Sequence, residues 1–361
     1  MEKDNNNLRL AANSNGEIDI DLLVRIVKKS KLTVLSFSGL FFILSMLYVA
    51  TAQEYWTSEA IVSKPLPQEI FEFRNQVNKF KSFFVKDSAD ETEKVVDDEL
   101  GELSDGGEIF KKFIVLFNSN SIKKSFFESN EMAISIKDKA GLGNDAIFNE
   151  VWFKRISATP VNKKDKSSYV LRFQSTSQES SLKLLEDYIS YVNSKLSLRL
   201  VNSLNALIAT KEVELEAAMN IVSAQAKKKL EMKIDEASLA LKIATTVGIS
   251  QPLKNYTSKE DFNVSQGSKS IEAQIQALRE LKNLSVVEPE LATYSAKLSE
   301  IRSIKIERDN QFYTYFYLEA PKYELSPDSP KSLLIIFGGT ILGLFVGFIA
   351  SIFLAFRRNE K

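Results

Sequence analysis

Two long uncharged apolar runs, one near each end of the sequence, constrain the fold of this chain more than any other feature. The first covers residues 32–52 and the second covers residues 332–356. A helix rises 1.5 Å per residue, so each run can cross the roughly 30 Å hydrocarbon core of a bilayer. Uncharged runs of this length with basic flanks are seldom found in soluble domains. We therefore predict two transmembrane helices.

The charges that flank the two runs predict their orientation. Basic residues lie on the outer side of both runs: Arg25, Lys28, Lys29 and Lys31 before the first, and Arg357, Arg358 and Lys361 after the second. Basic flanks favour the cytoplasmic side of a membrane. Both termini are therefore expected in the cytoplasm, with residues 53–331 on the far side.

Two other interpretations of the first run remain open. Residues 50–52, Ala-Thr-Ala, satisfy the small-x-small rule of a signal-peptide cleavage site. The run is longer than the apolar core of most signal peptides, and about thirty residues precede it, which favours a retained anchor. A pair of buried core helices in a soluble protein is the other alternative.

The second run carries small residues at every fourth position. Gly339, Gly343, Gly347 and Ser351 lie on one face of a helix, where small side chains let another helix approach closely. Glycine is also common in membrane helices for no specific reason. We expect a packing face, whose partner is the first run, a neighbouring subunit or another protein.

The composition disfavours several classes of function. The chain has no His and no Cys, which removes the commonest zinc ligands and the thiol nucleophile. Its 47 basic residues balance 47 acidic ones, whereas nucleic-acid binders normally have a basic excess. We expect no catalytic residues, no metal site, no cofactor and no nucleic-acid partner.

The first part of the enclosed segment has mixed patterns. Residues 55–64 and the pair 151–161 and 169–175 predict strands, the pair as a β-hairpin; residues 68–85 and 109–128 predict helices. Residues 87–108 contain ten acidic residues and one Lys. We expect a solvated or partly disordered insertion there; a metal-binding loop is the alternative, although the spacing of a calcium loop is missing.

The second part predicts a very long helix. Residues 179–247 contain neither Gly nor Pro, and their apolar residues recur every three or four positions. Residues 270–307 predict returning helices with a break at Pro289, and residues 311–318 predict a strand beside the strand at 55–64. A helix of about 100 Å exceeds what one small domain covers, so we expect its stripe to pack on the returning helix or on other subunits.

Five segments resemble the Wzz chain-length determinants, the polysaccharide co-polymerases of Gram-negative inner membranes. They are residues 17–23, residues 56–65 with Trp56 and Pro65, residues 156–173, residues 262–278 with Gly267, Ile271 and Ile275, and residues 321–331 with Pro321, Pro327 and Pro330. Their order between two apolar runs is more specific than any one of them.

The resemblance implies an α+β fold in which two transmembrane helices flank a periplasmic α/β base domain with a very long extended α-helical hairpin. The corresponding boundaries are a cytoplasmic tail at 1–31, spans at 32–52 and 332–356, base-domain segments at 53–178 and 311–331, long and returning helices at 179–310, and a tail at 357–361. Prolines in the last base segment should keep it extended.

The resemblance also implies a function. Members of the family have no enzymatic activity, form ring-shaped homo-oligomers, and set the modal length of O-antigen or a related polysaccharide with a Wzy-type polymerase that grows lipid-linked chains. The face with Gly339, Gly343 and Gly347 is then a candidate contact surface for that polymerase. One alternative is a regulator of capsule, exopolysaccharide or enterobacterial common antigen that works with a separate kinase, because no P-loop is attached. A glycan-processing enzyme that uses a pair of carboxylates is the other.

Overall fold

The computed structural model describes residues 31–86, 95–96, 98–139, 145–252, 264–306 and 312–359. Its α-helices are α1 (Lys31–Thr51), α2 (Phe71–Phe80), α3 (Asp98–Ser104), α4 (Gly106–Asn118), α5 (Asn120–Ser129), α6 (Glu131–Lys139), α7 (Asp145–Phe153), α8 (Gln178–Val247), α9 (Ser268–Arg279), α10 (Glu290–Ser303) and α11 (Ser332–Asn359). Its strands are β1 (Trp56–Ser63), β2 (Val85–Lys86), β3 (Val95–Val96), β4 (Ile156–Pro160), β5 (Ser168–Ser175) and β6 (Phe316–Tyr323).

These elements form two compact units. The sheet unit contains Met1–Ser63, Val115–Val192 and Tyr317–Lys361, and the helical unit contains Lys64–Ile114 and Asn193–Phe316. The longest element, α8, is a single helix of 70 residues that contributes to both units. At 1.5 Å per residue it is about 105 Å long. The sequence prediction of an uninterrupted helix over 179–247 is confirmed.

A four-stranded sheet with the order β4-β5-β1-β6 organises the sheet unit. Strands β1 and β5 run antiparallel from the pair Trp56 and Ser175 to the pair Ser63 and Ser168, and β4 pairs antiparallel with β5. The predicted hairpin is therefore confirmed, although its first strand begins only at Ile156, because residues 151–153 end helix α7. The predicted neighbour of β1 is also correct: it is β6.

Aromatic side chains fill the space between the sheet and its helices. The ring centroid of Phe126 on α5 lies 5.0 Å from that of Tyr188 on α8 and 6.3 Å from that of Phe173 on β5. The hydroxyl of Tyr188 donates a hydrogen bond of 2.8 Å to the carbonyl oxygen of Phe117, which satisfies the one polar atom of this buried ring. Burial raises the pKa of Tyr188 above its usual range.

A polar side chain protects one edge of the sheet and a proline protects the other. At the β4 edge, the amide side chain of Asn118 donates to the carbonyl oxygen of Ala158 at 3.1 Å and accepts from its N–H at 2.9 Å. At the other edge, β6 contains Pro321, which has no N–H to offer to a further strand. Both features discourage edge-to-edge pairing.

The helical unit is held by a segment that the sequence predicted as a strand. Residues Phe312 and Thr314 precede β6 and are buried; Phe312 stacks on Phe73 of α2 with ring centroids 4.6 Å apart. The side chain of Asn193 on α8 donates to the carbonyl oxygen of Phe312 at 3.0 Å and accepts from the N–H of Thr314 at 2.9 Å. These bonds hold the backbone of Phe312 and Thr314 against α8 and not in the sheet. The strand therefore begins at Phe316, later than the predicted start at residue 311. Residue 311 itself lies outside the described residues.

Three other sequence predictions need correction. The helix predicted over 109–128 is two helices, because the backbone of Ser119 is extended between α4 and α5. The returning helix breaks at Pro289, as predicted, but residues 280–289 also separate α9 from α10. Of the acidic segment 87–108, residues 98–104 form helix α3, and Leu100 and Leu103 are buried. The prediction of a solvated insertion is wrong there; residues 87–94 and 97 lie outside the described residues.

A buried lysine joins α5 to the start of the sheet. The Nζ of Lys123 donates hydrogen bonds to the carbonyl oxygens of Phe153 at 2.9 Å and Ile156 at 2.8 Å, and its side chain is buried. Burial disfavours the charged form, which lowers the pKa of Lys123 from 10.5 to about 8. The group therefore links the stability of the sheet unit to pH.

Stability of the full-length protein should rise as pH increases through this range. Between pH 8 and pH 10 the unfolded chain keeps the proton on Lys123 and the folded chain releases it, so the free energy of unfolding increases with pH. From pH 7.5 to 9.5 the gain from this group is about 2 kcal/mol. Thermal unfolding in detergent should show the rise for the parent protein and lose that increment for Lys123→Met. Parallel pH profiles of the two proteins would contradict it.

Candidate functional site

The small-residue face of α11 packs directly on α1. A Cβ atom placed on Gly343 would lie 2.7 Å from the Cβ of Phe41 and 2.9 Å from the carbonyl oxygen of Phe37. A Cβ on Gly347 would lie 2.8 Å from the Cα of Val34, and one on Gly339 would overlap the hydroxyl of Ser45. Real side chains do not approach so closely, so only glycine allows this contact. We call these residues the glycine seam.

The last small residue of the series, Ser351, is fully buried. Its hydroxyl has no hydrogen-bond partner within the part of the chain that the structure describes. Other hydroxyls of the two apolar helices bond to the carbonyl four residues earlier: Ser36, Ser45 and Thr51 on α1, and Thr340 on α11. Such internal bonds suit an environment without water.

The sequence left the partner of the glycine face open, and the structure places it against α1. What sequence reasoning missed is the matching face of α1, which contains Ser38 and Ser45. These small residues lie seven positions apart in the apolar run, so they share a helix face and could have been noticed. In the structure α1 covers Gly339, Gly343 and Gly347. The predicted contact between these glycines and a polymerase stays a prediction.

Both seam helices are long and apolar enough to cross a membrane, over Lys31–Thr51 and Ser332–Leu354. Their outward side chains are apolar and exposed; Leu333, for example, is 87% exposed. The segment that leads to α11 pairs with the residue just before β1, because Tyr55 and Ser329 form an antiparallel bridge. The N–H of Tyr55 donates to the carbonyl oxygen of Ser329, and the N–H of Asp328 donates to the carbonyl oxygen of Tyr55, both at 2.9 Å.

Gly267 precedes α9 at a point where the backbone lies close to the residues that follow α8. Its φ of 78° and ψ of 151° belong to a region that essentially only glycine occupies. A Cβ there would lie 2.6 Å from the carbonyl carbon of Gln251. The neighbouring Ser268 donates its N–H to the carbonyl oxygen of Ile249 at 2.9 Å. The close crossing of two backbone segments explains why the chain has glycine at this position.

Ile271 and Ile275 anchor α9 to α8 in a small apolar cluster. Both are buried against alanines on one face of α8: Ala237, Ala240 and Ala244. Small side chains on α8 and branched ones on α9 let the helices approach and fill the space between them. We call this arrangement, together with Gly267, the α8–α9 clasp; it brings together three of the sequence-predicted motif positions.

The other described motif positions lie in or beside strands β1 and β6 and in the segment that leads to α11. Trp56 begins β1 and is half-buried, and Pro65 is buried just after β1 ends. Pro321 lies within β6, whereas Pro327 and Pro330 are half-buried in the segment that leads to α11. The motif at 17–23 lies outside the described residues. Among the residues that are described, no group of three acidic side chains is arranged to hold a metal ion.

Comparison with known proteins agrees with this architecture. Residues 16–129 match the family model "Wzz: Chain length determinant protein". A full-length bacterial polysaccharide co-polymerase has a similar fold, with a TM-score of 0.67 at 20% identity, covering 94% of this chain and 99% of that one. The O-antigen chain-length regulator WzzBSF of Shigella flexneri gives a TM-score of 0.52 at 18% identity over 74% of this chain and 97% of that one.

Sequence relatives also cover almost the whole chain. The ferric enterobactin transport protein FepE of Escherichia coli K12 is 23% identical, covering 92% of this chain and 88% of FepE. The chain length determinant protein of the same organism is 22% identical, covering 96% of this chain and 95% of the relative. Its ECA polysaccharide chain length modulation protein is 23% identical, covering 92% of this chain and 94% of the relative.

The fold is that of the polysaccharide co-polymerases: two apolar terminal helices, a small sheet with its helices, and a very long helix with returning helices. The α+β architecture predicted from the sequence is thereby confirmed. The matches to the Wzz chain length determinant family model over residues 16–129, to the chain length determinant protein and to the co-polymerase fold agree with the resemblance of the sequence motifs.

Enlarging the glycine seam should weaken the pairing of α1 with α11. Gly343→Leu and Gly347→Leu place a side chain where backbone atoms of α1 now lie, and overpacking of this kind costs about 1–3 kcal/mol per site. We expect a lower thermal midpoint of the full chain in detergent. Gly338→Leu is the matched control, because a Cβ at Gly338 meets nothing within 4 Å. Equal behaviour of all three variants would contradict the seam.

Substitution of Gly267 should open the α8–α9 clasp. Gly267→Ala combines a strained backbone with a clash against Gln251, so we expect a cost of about 1–3 kcal/mol and faster hydrogen exchange of the α9 amides. The control Gly248→Ala has the same sign of φ, 79°, but no atom within 4 Å of the added Cβ. Exchange in α9 that is no faster for Gly267→Ala than for Gly248→Ala would show that the clash is unimportant.

Proposed function

We propose that this protein is a non-enzymatic regulator that sets the modal chain length of O-antigen or a related lipopolysaccharide-linked polysaccharide. The observation that carries the proposal is the near-complete match to a polysaccharide co-polymerase, which covers 94% of this chain and 99% of that one. Relatives that cover more than nine-tenths of this chain are named for chain length determination or modulation. Two independent kinds of similarity thus support one function.

The location proposed for the protein is the inner membrane, with both termini in the cytoplasm and residues 53–331 in the periplasm. Two apolar helices of sufficient length support the two spans. The basic residues on the outer side of each span support the orientation, because positive flanks stay in the cytoplasm. A periplasmic position for the enclosed segment would let it meet lipid-linked glycan on the outer leaflet.

The working form proposed is a ring-shaped homo-oligomer. Supporting it, α8 exposes apolar side chains at Met232, Leu239, Ile243 and Val247, each at least 40% exposed. Spacings of seven, four and four residues place them on one helix face. An exposed apolar stripe of this kind marks a protein contact more often than a solvated surface. Another copy of α8 would cover it.

The proposed partners are a Wzy-type polymerase and its lipid-linked polysaccharide. The similarity to the ECA chain length modulation protein supports enterobacterial common antigen as an alternative product. Regulation of capsule or exopolysaccharide together with a separate kinase is a further alternative. A glycan-processing enzyme is disfavoured, because described charged pairs such as Lys124–Glu128 and Lys154–Glu150 are solvated ion pairs on exposed helix surfaces.

Deletion of the gene tests the proposal directly. We expect the O-antigen ladder on a gel to lose its preferred size while polymer of all lengths remains, because a regulator is needed for length but not for synthesis. Expression of the parent protein or of the Gly338→Leu control should restore the preferred size.

Other outcomes of the deletion would assign other functions. Loss of all polymer would indicate a polymerase or another enzyme of synthesis. An unchanged O-antigen ladder with an altered enterobacterial common antigen would favour the alternative product. A cell in which every polysaccharide keeps its size distribution would contradict the proposed function.

A further inference from the structure

A polar groove lies on the face of the sheet that is turned away from the helices. Along β1, Ser58 and Ala60 face the buried side, so Thr57 and Glu59 face the other side. The groove has a volume of about 440 Å³, and every side chain that lines it is polar or charged. Its size falls within the range of about 300–1,000 Å³ that is typical of ligand sites.

Two sets of hydrogen bonds hold several side chains of the groove in place. The amide of Gln174 donates to the hydroxyl of Thr57 and to the carboxylate of Asp328, each at 3.3 Å, and Thr57 also donates to Asp328. The Nε of Arg172 donates to Glu59, and its Nη1 donates to the hydroxyl of Thr159 at 3.1 Å. Such bonds fix donors and acceptors before a ligand arrives, which reduces the entropy lost on binding.

A stacked guanidinium forms one wall of the groove. Arg155 lies 3.8 Å from the ring centroid of Tyr55 and 4.8 Å from that of Trp152, and it donates to the side chain of Gln174 at 3.4 Å. Stacking on two aromatic rings holds its planar fork in one orientation. A fixed fork of N–H donors, in a groove that also contains carboxylates, can hydrogen-bond to two adjacent hydroxyl groups of one molecule.

The charges of the groove favour a neutral ligand. Lys154, Arg155 and Arg172 contribute three positive charges, and Glu59, Glu324 and Asp328 contribute three negative ones. A phosphate would lie near three carboxylates as well as three cations, and an ammonium group would lie near three cations as well as three carboxylates. A molecule rich in hydroxyl groups, which both donate and accept, can use both kinds of charge without repulsion.

The same lining disfavours another copy of the chain as the occupant. The cores of subunit interfaces are depleted of charged residues and enriched in aromatic residues and Met. The groove has the opposite composition, with six charged side chains and no apolar one. Desolvating paired charges against a second protein surface would gain little free energy.

We propose that this groove binds a short neutral stretch of polysaccharide through its hydroxyl groups. The inference rests on the proposed function, because it takes the ligand to be the glycan whose length is regulated. The groove lies beside the chain segments that enter and leave the apolar helices, since Tyr55 and Asp328 belong to it or border it. A glycan held there would be held next to the membrane.

Repetition makes weak individual sites effective. An open polar groove binds one sugar repeat weakly, because each hydrogen bond replaces one to water. Several copies of the groove in one oligomer would engage successive repeats of the same polymer, and each further contact would be intramolecular. Affinity should therefore increase with glycan length, which couples recognition to the quantity being regulated.

Binding of glycan to the full-length protein in lipid nanodiscs tests the inference. The probe is polysaccharide from the producing cells, freed of lipid, separated by size and labelled at its reducing end. We expect long chains to bind at least about tenfold more tightly than single repeats. Gln174→Leu, which removes the central amide, and Ser157→Phe, which fills the groove, should each weaken binding by about tenfold. Lys163→Gln, in the exposed turn between β4 and β5, is the matched control.

Several results would overturn the inference. They are absence of glycan binding by the parent protein, equal binding by both groove variants and the parent, or displacement of the glycan by excess inorganic phosphate. A change of oligomer size in both variants with unchanged binding per chain would make the groove a subunit contact. If gene deletion abolishes the preferred length while both variants bind and regulate normally, only this inference fails and the proposed function stands.

Discussion

The close approach of α1 and α11 is the constraint that holds the two ends of the sheet unit side by side. Lipid offers no hydrophobic effect to join two apolar helices, so their association relies on tight packing and on small residues. Gly343 and Gly347 supply that packing by letting backbone meet backbone. Because α1 ends at Thr51 and α11 begins at Ser332, the seam also brings two distant parts of the sequence together, where Tyr55 and Ser329 pair and β1 can lie beside β6.

Elements with strong and long-range periodicity could be predicted from the sequence. Residues 179–247 contain no Gly or Pro that would end a helix, and α8 runs from Gln178 to Val247. The hairpin of β4 and β5 was visible because polar residues separate two β-branched runs. Gly267, Ile271 and Ile275 were selected from a resemblance, and the clasp gives each of them a physical reason: a forbidden Cβ for the first and burial for the others.

Features that depend on one polar side chain could not be predicted. Asn193 takes the backbone of Phe312 and Thr314 into the helical unit and so shifts the start of β6, yet nothing near 193 in the sequence indicates its partner. Lys123 has the same property, because a lysine on an amphipathic helix is normally exposed and only the two carbonyl groups at the start of the sheet explain its burial. The polar groove combines residues from 57 to 328, and no local pattern connects them.

Two surfaces of opposite chemistry divide the tasks that the proposed function requires. Self-association needs apolar area that can be removed from water, and the exposed face of α8 with Met232, Leu239 and Ile243 supplies it. Recognition of a soluble glycan needs fixed hydrogen-bonding groups that remain wet until the ligand replaces water, and the groove around Gln174 supplies those. A polar groove inside a subunit interface could not contact a glycan. An apolar stripe lacks the hydrogen-bonding groups that distinguish one sugar from another. Assembly and recognition can therefore change independently, so that substitutions on α8 would alter how many grooves act together without altering what each groove binds.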